Sequence, residues 1–250
     1  MSDKRIPATF LERPNRFVAR VRLEDGRVVP VHVASSGRMA EILLPGAPAI
    51  VTLRDDVPGP EPSAASTTEP GRKTVGKLLM VRTGSTWVSV DTSLPGRLFH
   101  RAVAAGACPP FAGYTDVRPE YRYGESRIDF LLTAPDRPPC LVEVKSVTSV
   151  LPGAGGLRVA RFPDAPTARG ARHLGELAGA VREGYRAAVC IIAQRDDAQA
   201  FGPWDEIDPV FAETLRQVAL AGVEVHAFVM HVTPEGAVLG ESLPVILARN

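Results

Sequence analysis

Two neighbouring apolar runs in the second half of this 250-residue chain carry charge where a sheet interior would exclude it. Ser126–Leu132 reads Ser-Arg-Ile-Asp-Phe-Leu-Leu, and Cys140–Ser146 reads Cys-Leu-Val-Glu-Val-Lys-Ser. The two-residue period of a strand sends Glu143 and Lys145 to one face and Val142 and Val144 to the other. The turn at Ala134–Pro139 pairs the two strands as a hairpin and brings Asp129 beside Glu143. Two carboxylates and an ammonium then converge at the edge of an apolar sheet. Such charges must pair or hold a cation. A hard divalent ion, Mg²⁺ or Mn²⁺, suits carboxylate oxygens and water. The expected ligands are Asp129 and Glu143, with the main-chain carbonyl of Val144. Lys145 orients a water or neutralises charge on a phosphate. The alternative for Glu-x-Lys alone is a surface ion pair, worth ~0–1 kcal/mol.

The rest of this half alternates helix and strand. A helix over Leu94–Ala105, capped by Thr92 or Ser93, ends at Gly106. Asp116–Tyr123 is a strand that Pro119 confines to an edge. A helix over Thr167–Glu183, a buried strand at Tyr185–Ala193, a helix over Asp208–Ala221 and a strand at Val223–Val229 follow. A hairpin turns at Glu235-Gly236. Glu120, on the edge strand, is either a further metal ligand or a partner of Arg118 or Arg122. Asp164 is either a loop-fixing cap or a group near the metal. Arg169 and His173 are four apart and share a helix face, as do Arg172 and Glu176. The first pair is placed to face the scissile phosphate.

Up to residue 85 the pattern is short strands and turns. Phe17, Ala19, Val21 and Leu23 alternate with Arg16, Val18, Arg20 and Arg22, the period of a half-buried strand. Asp25-Gly26 signals a hairpin, returning through Val29, Val31 and Val33. Ala49–Leu53 and Val75–Val81 supply further strands. Residues 55–73 read as a long flexible loop rich in Pro, Ser, Thr, Glu and Gly. These strands fit a small barrel of the OB type over 1–85. A mixed α/β domain then occupies 86–250.

The charge total is +1, with 29 basic and 28 acidic residues. That excludes an overall basic nucleic-acid coat and a polybasic membrane anchor, so nucleic acid would be met by a patch. Arg16, Arg20 and Arg22 are such a stripe, or an ordinary solvated face in a chain whose basic residues are 25 Arg and four Lys. Aromatics are 6% of the chain, and none interleaves with these arginines. Contact with duplex backbone therefore fits better than base stacking along a single strand. His32 and His100 receive no role. Cys108, Cys140 and Cys190 lack metal-ligand spacing, and Cys140 and Cys190 read as buried free thiols. With no apolar leader and no membrane-length run, the expectation is a soluble cytoplasmic protein.

Asp129 followed by Glu143-x-Lys145 in this element order resembles the PD-(D/E)xK nuclease superfamily. Longer strings resemble the sugar fermentation stimulation protein (SfsA) family. These are Tyr123–Phe130, Glu143–Thr148, Phe162–Thr167 with Arg169-Gly170 and His173-Leu174, Arg13–Phe17, Ser36–Met39 and Ser242–Val245. The resemblance implies an N-terminal OB-like barrel, a C-terminal restriction-endonuclease-like domain and DNA binding. The segment Ser35-Ser36-Gly37-Arg38-Met39 departs from an Asn-Thr-Gly-x-Met pattern but keeps a short polar side chain before Gly37. Three functions stay open. The first is a metal-dependent nuclease that uses Asp129, Glu143 and Lys145. The second is a non-catalytic DNA-binding regulator of sugar-metabolism genes on the same fold. The third is a carbohydrate-binding OB module. A homodimer is compatible with each.

Overall fold

The computed structural model describes residues 4–35, 37–54 and 74–249; the expected loop 55–73 lies outside them. Two compact units are present, Met1–Thr92 with Val232–Ala237, and Ser93–His231 with Val238–Asn250.

The first unit is built from β1 (Arg5–Asn15), β2 (Val18–Leu23), β3 (Val28–His32), β4 (Pro48–Leu53), β5 (Gly76–Thr83) and β6 (Thr86–Ser89). They follow the order β3-β2-β1-β4-β5-β6, and a parallel pairing of β3 with β5 closes five of them into a barrel. Alternation drives closure: Ala19, Val21, Val29, Val31, Val51 and Leu78 turn inward and are buried, while Arg20 and Arg22 face out. Gly76 sits where β5 meets both β3 and β4, and a Cβ there would lie 1.9 Å from the Thr52 carbonyl oxygen. No side chain fits that crossing. The expected boundary at residue 85 falls inside the β5–β6 hairpin, because Trp87 and Val88 pair with Arg82 and Val81. The unit therefore runs on to Thr92. The strand expected from Arg16 begins at Val18, with Arg16 and Phe17 in the preceding turn. β1 was not anticipated, since its two prolines break the strand pattern.

One side chain organises the corner of this barrel. Arg13 donates to the carbonyls of Arg16 (2.6 Å), Ser35 (2.8 Å), Gly37 (2.7 Å) and Arg38 (2.8 Å). It ties the β1–β2 turn to the segment after β3, joining two of the stretches that carry the family resemblance. Arg13→Ala strips four carbonyls of a charged donor. It is expected to lower the barrel's stability by about 2–4 kcal/mol, read as a drop in denaturant midpoint at unchanged slope.

The second unit holds α1 (Leu94–Ala104), β7 (Asp116–Tyr123), β8 (Ser126–Thr133), β9 (Cys140–Val147), β10 (Val150–Pro152), β11 (Arg158–Phe162), α2 (Ala168–Arg182), β12 (Arg186–Ala193), β13 (Ala200–Pro203), α3 (Pro209–Leu220), β14 (Glu224–Thr233) and β15 (Gly236–Leu243). The main sheet has the order β15-β14-β12-β9-β8-β7, and β10-β11-β13 form a small second sheet. β9, β12 and β14 run parallel, and β8 and β7 continue antiparallel. β12 is buried along nearly its whole length, as a parallel strand covered on both faces must be. Pro119 lies on the edge strand β7, where its missing N–H costs no ladder bond. Ile128, Leu141, Val189, Leu174, Leu177, Phe201, Phe211 and Leu215 form the core against α2 and α3.

The starts of α2 and α3 are fixed by side chains, whereas the expected cap of α1 does not form: Ser93 stands at its start and makes no side-chain capping bond. Thr167 caps α2 by accepting the Gly170 N–H (3.1 Å), and its own N–H donates to Asp208 Oδ2 (2.7 Å). Asp208 Oδ1 accepts the Phe211 N–H (2.9 Å) and caps α3. One buried carboxylate thus sets two helices in register with each other. All three cysteines are buried free thiols, and burial pushes Cys108 up to about 11 and Cys140 to about 12. Among the described residues no helix is long and apolar enough to cross a membrane.

Candidate active site

The β8–β9 ladder pairs Leu132 with Cys140, Leu131 with Leu141 and Phe130 with Val142. Continued by one step, it opposes Asp129 and Glu143. There the backbone ladder gives way to a side chain, and Asp129 Oδ2 accepts the Val144 N–H at 2.8 Å. Val144 thus contributes its amide, orienting Asp129 against β9. Glu143 is 2% exposed. Its Oε1 receives Lys145 Nζ (2.6 Å) and His173 Nδ1 (2.5 Å), the latter from α2. Asp129, Glu143, Lys145 and His173 therefore share one pocket of charge between β8, β9 and α2.

Arg169 sets the state of the histidine. Its Nε donates to His173 Nε2 at 3.3 Å, so that nitrogen is the acceptor and the imidazole proton resides on Nδ1. The Nδ1–H then donates to Glu143. A chain runs Arg169, His173, Glu143, and with Lys145 it leaves Glu143 Oε1 fully used. Glu143 Oε2 is buried and has no hydrogen-bond partner. A carboxylate oxygen in that position is costly unless something positive meets it.

Asp129 reports the same deficit. Burial, and next the Glu143 charge, push its carboxyl up to about 6; the Val144 amide, Lys145 and His173 pull the other way without cancelling them. Among the described residues no group of three or more His, Cys, Asp and Glu side chains is arranged to hold a metal. The donor set is two carboxylates, one with an orphaned oxygen. It fits an octahedral ion that keeps most of its waters.

Other expected members fall outside this pocket. Glu120 adopts a left-handed backbone (φ 53°), a conformation that costs a non-glycine residue about 1–2 kcal/mol. Its carboxylate pairs with Arg127 at 3.4 Å, both side chains largely exposed. It is a surface ion pair rather than a ligand, and its partner is neither Arg118 nor Arg122. Asp164 does not cap α2, because Thr167 takes that position. No hydrogen bond joins it to Asp129 or Glu143. Arg172 is exposed on the outer side of α2, and Glu176 Oε1 accepts from Ser126 Oγ at 3.4 Å.

On the barrel the expected arginine stripe is broken. Arg20 is tied to Glu12 at 3.0 Å, Arg16 lies in the turn, and Arg22 alone is an unpaired basic residue on the strand face among the described residues. Phe17 is not core but 52% exposed. Its ring lies 19° from parallel to that of His32, with centroids 6.4 Å apart. Sequence reasoning missed three contributors: the Val144 amide, the Arg13 knot and the Phe17–His32 pair. The first is a main-chain donor with no residue-type signature. The second needs the turn and loop to be seen together. The third was hidden by an alternation that ran on through a turn.

A closed OB-like barrel joined to a mixed sheet with Asp and Glu-x-Lys on adjacent strands defines a restriction-endonuclease-type protein with an N-terminal barrel. Residues 93–236 match the sugar fermentation stimulation protein RE domain, and residues 11–90 match the SfsA N-terminal OB domain. The chain belongs to the sugar fermentation stimulation protein family. A homologue from Symbiobacterium thermophilum is 79% identical, covering 100% of this chain and 98% of its own. One from Moorella thermoacetica is 45% identical over 92% and 91% of the two chains. The solved structure of Pyrococcus furiosus SfsA in complex with Ca²⁺ is 30% identical, covers 98% of this chain and 97% of that one, and superposes with a TM-score of 0.82.

Proposed function

We propose that this protein binds DNA and hydrolyses its phosphodiester bonds with a divalent cation held at Asp129 and Glu143. The observation that carries the proposal is the buried, unpartnered Glu143 Oε2, beside an Asp129 whose carboxyl is driven up first by burial and next by the Glu143 charge. The Ca²⁺ named with the Pyrococcus furiosus relative supports the choice of a hard divalent ion. Mg²⁺ or Mn²⁺ is the working ion of this reading, and the Val144 carbonyl is an additional donor in it. When bound, the ion polarises the phosphodiester and lowers the pKa of an attacking water.

The chain's own residues divide the remaining work. Asp129 is aimed by the Val144 amide. Glu143 is locked by Lys145 and by His173, whose proton is kept on Nδ1 by Arg169. The Lys145 side chain is 16% exposed, and in this reading its ammonium, beside Glu143, is the cation that meets a phosphate oxygen. Purified protein is expected to cleave DNA with Mg²⁺ or Mn²⁺ and not with EDTA. Lys145→Ala is expected to slow cleavage by ~10²–10³-fold while retaining Mn²⁺ binding. Equal cleavage by wild type and Lys145→Ala overturns the assignment of Lys145.

A second reading is favoured by one observation, the lack of a third acidic or imidazole ligand among the described residues. In it the protein is a DNA-binding regulator that keeps the fold and the cation without turnover. DNA binding with no product across Mg²⁺, Mn²⁺ and varied DNA forms selects that reading.

A further inference from the structure

We propose that the barrel corner formed by Phe17, His32, Arg16 and Arg38 holds an unpaired nucleotide base and its flanking phosphates. The protein would then grip single-stranded or frayed DNA through a site on the barrel unit. The inference rests on the reading that the protein binds DNA, and it adds which form of DNA and where.

The exposed ring is held in place. Asn15 Oδ1 accepts the Phe17 N–H at 3.0 Å, and the Phe17 carbonyl accepts the Val33 N–H at 2.9 Å. The Arg13 guanidinium fixes the carbonyl of the preceding residue, Arg16. A phenyl ring left 52% exposed on a locked turn forgoes part of the ~1.5–3 kcal/mol that full burial supplies. The Phe17 and His32 rings are near parallel, yet their 6.4 Å centroid separation leaves them covering little of each other. Phe17 is thus left with ring surface open to solvent, and His32 is partly exposed beside it. His32 stands between the buried Val31 and Val33, so its side chain is on the outer surface of the barrel.

Charge decides what these faces take. Arg16, Arg22 and Arg38 are exposed, and among the described residues none of their side chains has an ion-pair or hydrogen-bond partner. The nearby Arg20 is already neutralised by Glu12. The Arg13 guanidinium gathers the Arg16 and Arg38 carbonyls, so two free guanidinium groups stand on the turn that carries Phe17 and on the segment tied to it, which matches a base flanked by phosphates. Base–aromatic stacking contributes ~1–3 kcal/mol per base and tolerates any sequence. A neutral sugar would also stack, but it would leave the free guanidinium groups without an anion.

The test is fluorescence anisotropy of the full-length protein in EDTA at fixed salt, with labelled oligo-dT, blunt duplex and a neutral oligosaccharide as probes. Phe17→Ala is expected to weaken oligo-dT binding by roughly 5–100-fold and to change blunt-duplex affinity less than about two-fold. Phe17→Trp is expected to restore it, and His32→Ala to show a smaller loss. Thermal melts of each variant confirm folding, and Phe17→Trp and His32→Ala keep the test open if Phe17→Ala does not fold. Equal oligo-dT affinity of Phe17→Ala and wild type overturns the inference while leaving DNA binding standing. So does an equal loss for oligo-dT and duplex, or oligosaccharide binding that depends on Phe17. If wild type binds no DNA at all, the proposed function fails first and this inference fails with it.

Discussion

Glu143→Gln is expected to reduce metal-dependent cleavage by at least ~10³-fold, about 4 kcal/mol of barrier, and to destabilise the fold as well. Glu143 is the junction of the site: Oε1 holds Lys145 and His173 at 2.6 and 2.5 Å, and Oε2 is the orphaned acceptor. The amide keeps the shape and removes the charge. An N–H₂ then replaces one of the two oxygens, so the residue either loses a donor from Lys145 or His173 or presents a donor to the cation. Removing one member of a buried ion pair costs about 3–5 kcal/mol. Lys145 retains 16% side-chain exposure and can turn to water, which places the loss near the lower end, about 3 kcal/mol. Cleavage assays and denaturant melts read the two effects separately. An active, equally stable Glu143→Gln variant would remove this residue from the centre.

Asp129→Asn is expected to act in the opposite direction on stability while also abolishing cleavage. The Asp129 carboxyl titrates at about 6 in the folded protein because burial and the Glu143 charge oppose its ionisation, against ~3.9 in an unfolded chain. Between those values the folded state holds a proton that the unfolded state has released. Stability of the metal-free protein therefore falls as pH rises from about 4 to 6, and the full penalty is in force at pH 7. Asparagine carries no charge and can still accept the Val144 N–H. The metal-free variant should melt several degrees above wild type at pH 7, with no advantage near pH 4. Saturating Mn²⁺ should stabilise wild type and leave the variant unchanged. Melts across pH with and without the ion check each statement, and a variant less stable at pH 7 contradicts them.

Much of this centre was legible from residue order. Charged letters inside apolar strands are rare enough to force a hairpin with Asp129 opposite Glu143. The register ending at Phe130 and Val142 is what that requires. The long helices were equally plain from capping and periodicity. α2 and α3 are each one residue shorter than expected at either end, with Thr167 and Asp208 standing as N-caps and Glu183 and Ala221 as C-caps.

What escaped has physical causes. β10, β11 and β13 are three to five residues long and carry proline, glycine or arginine, too little for a two-residue period to emerge. Glu120 adopts a left-handed backbone and pairs with Arg127 on the surface, which its sequence neighbours do not announce. Asp164 yielded the cap to Thr167 because α2 starts later than the acidic residue suggested. Phe17 kept the parity of a core strand although the chain had not yet entered one.

Calorimetric titration of metal-free protein with Mn²⁺ bears most directly on the centre. Heat of binding in wild type and Phe17→Ala, absent in both Asp129→Asn and Glu143→Gln, is the expected result. Undiminished binding in those two carboxylate variants would show that the cation, if it binds, sits elsewhere.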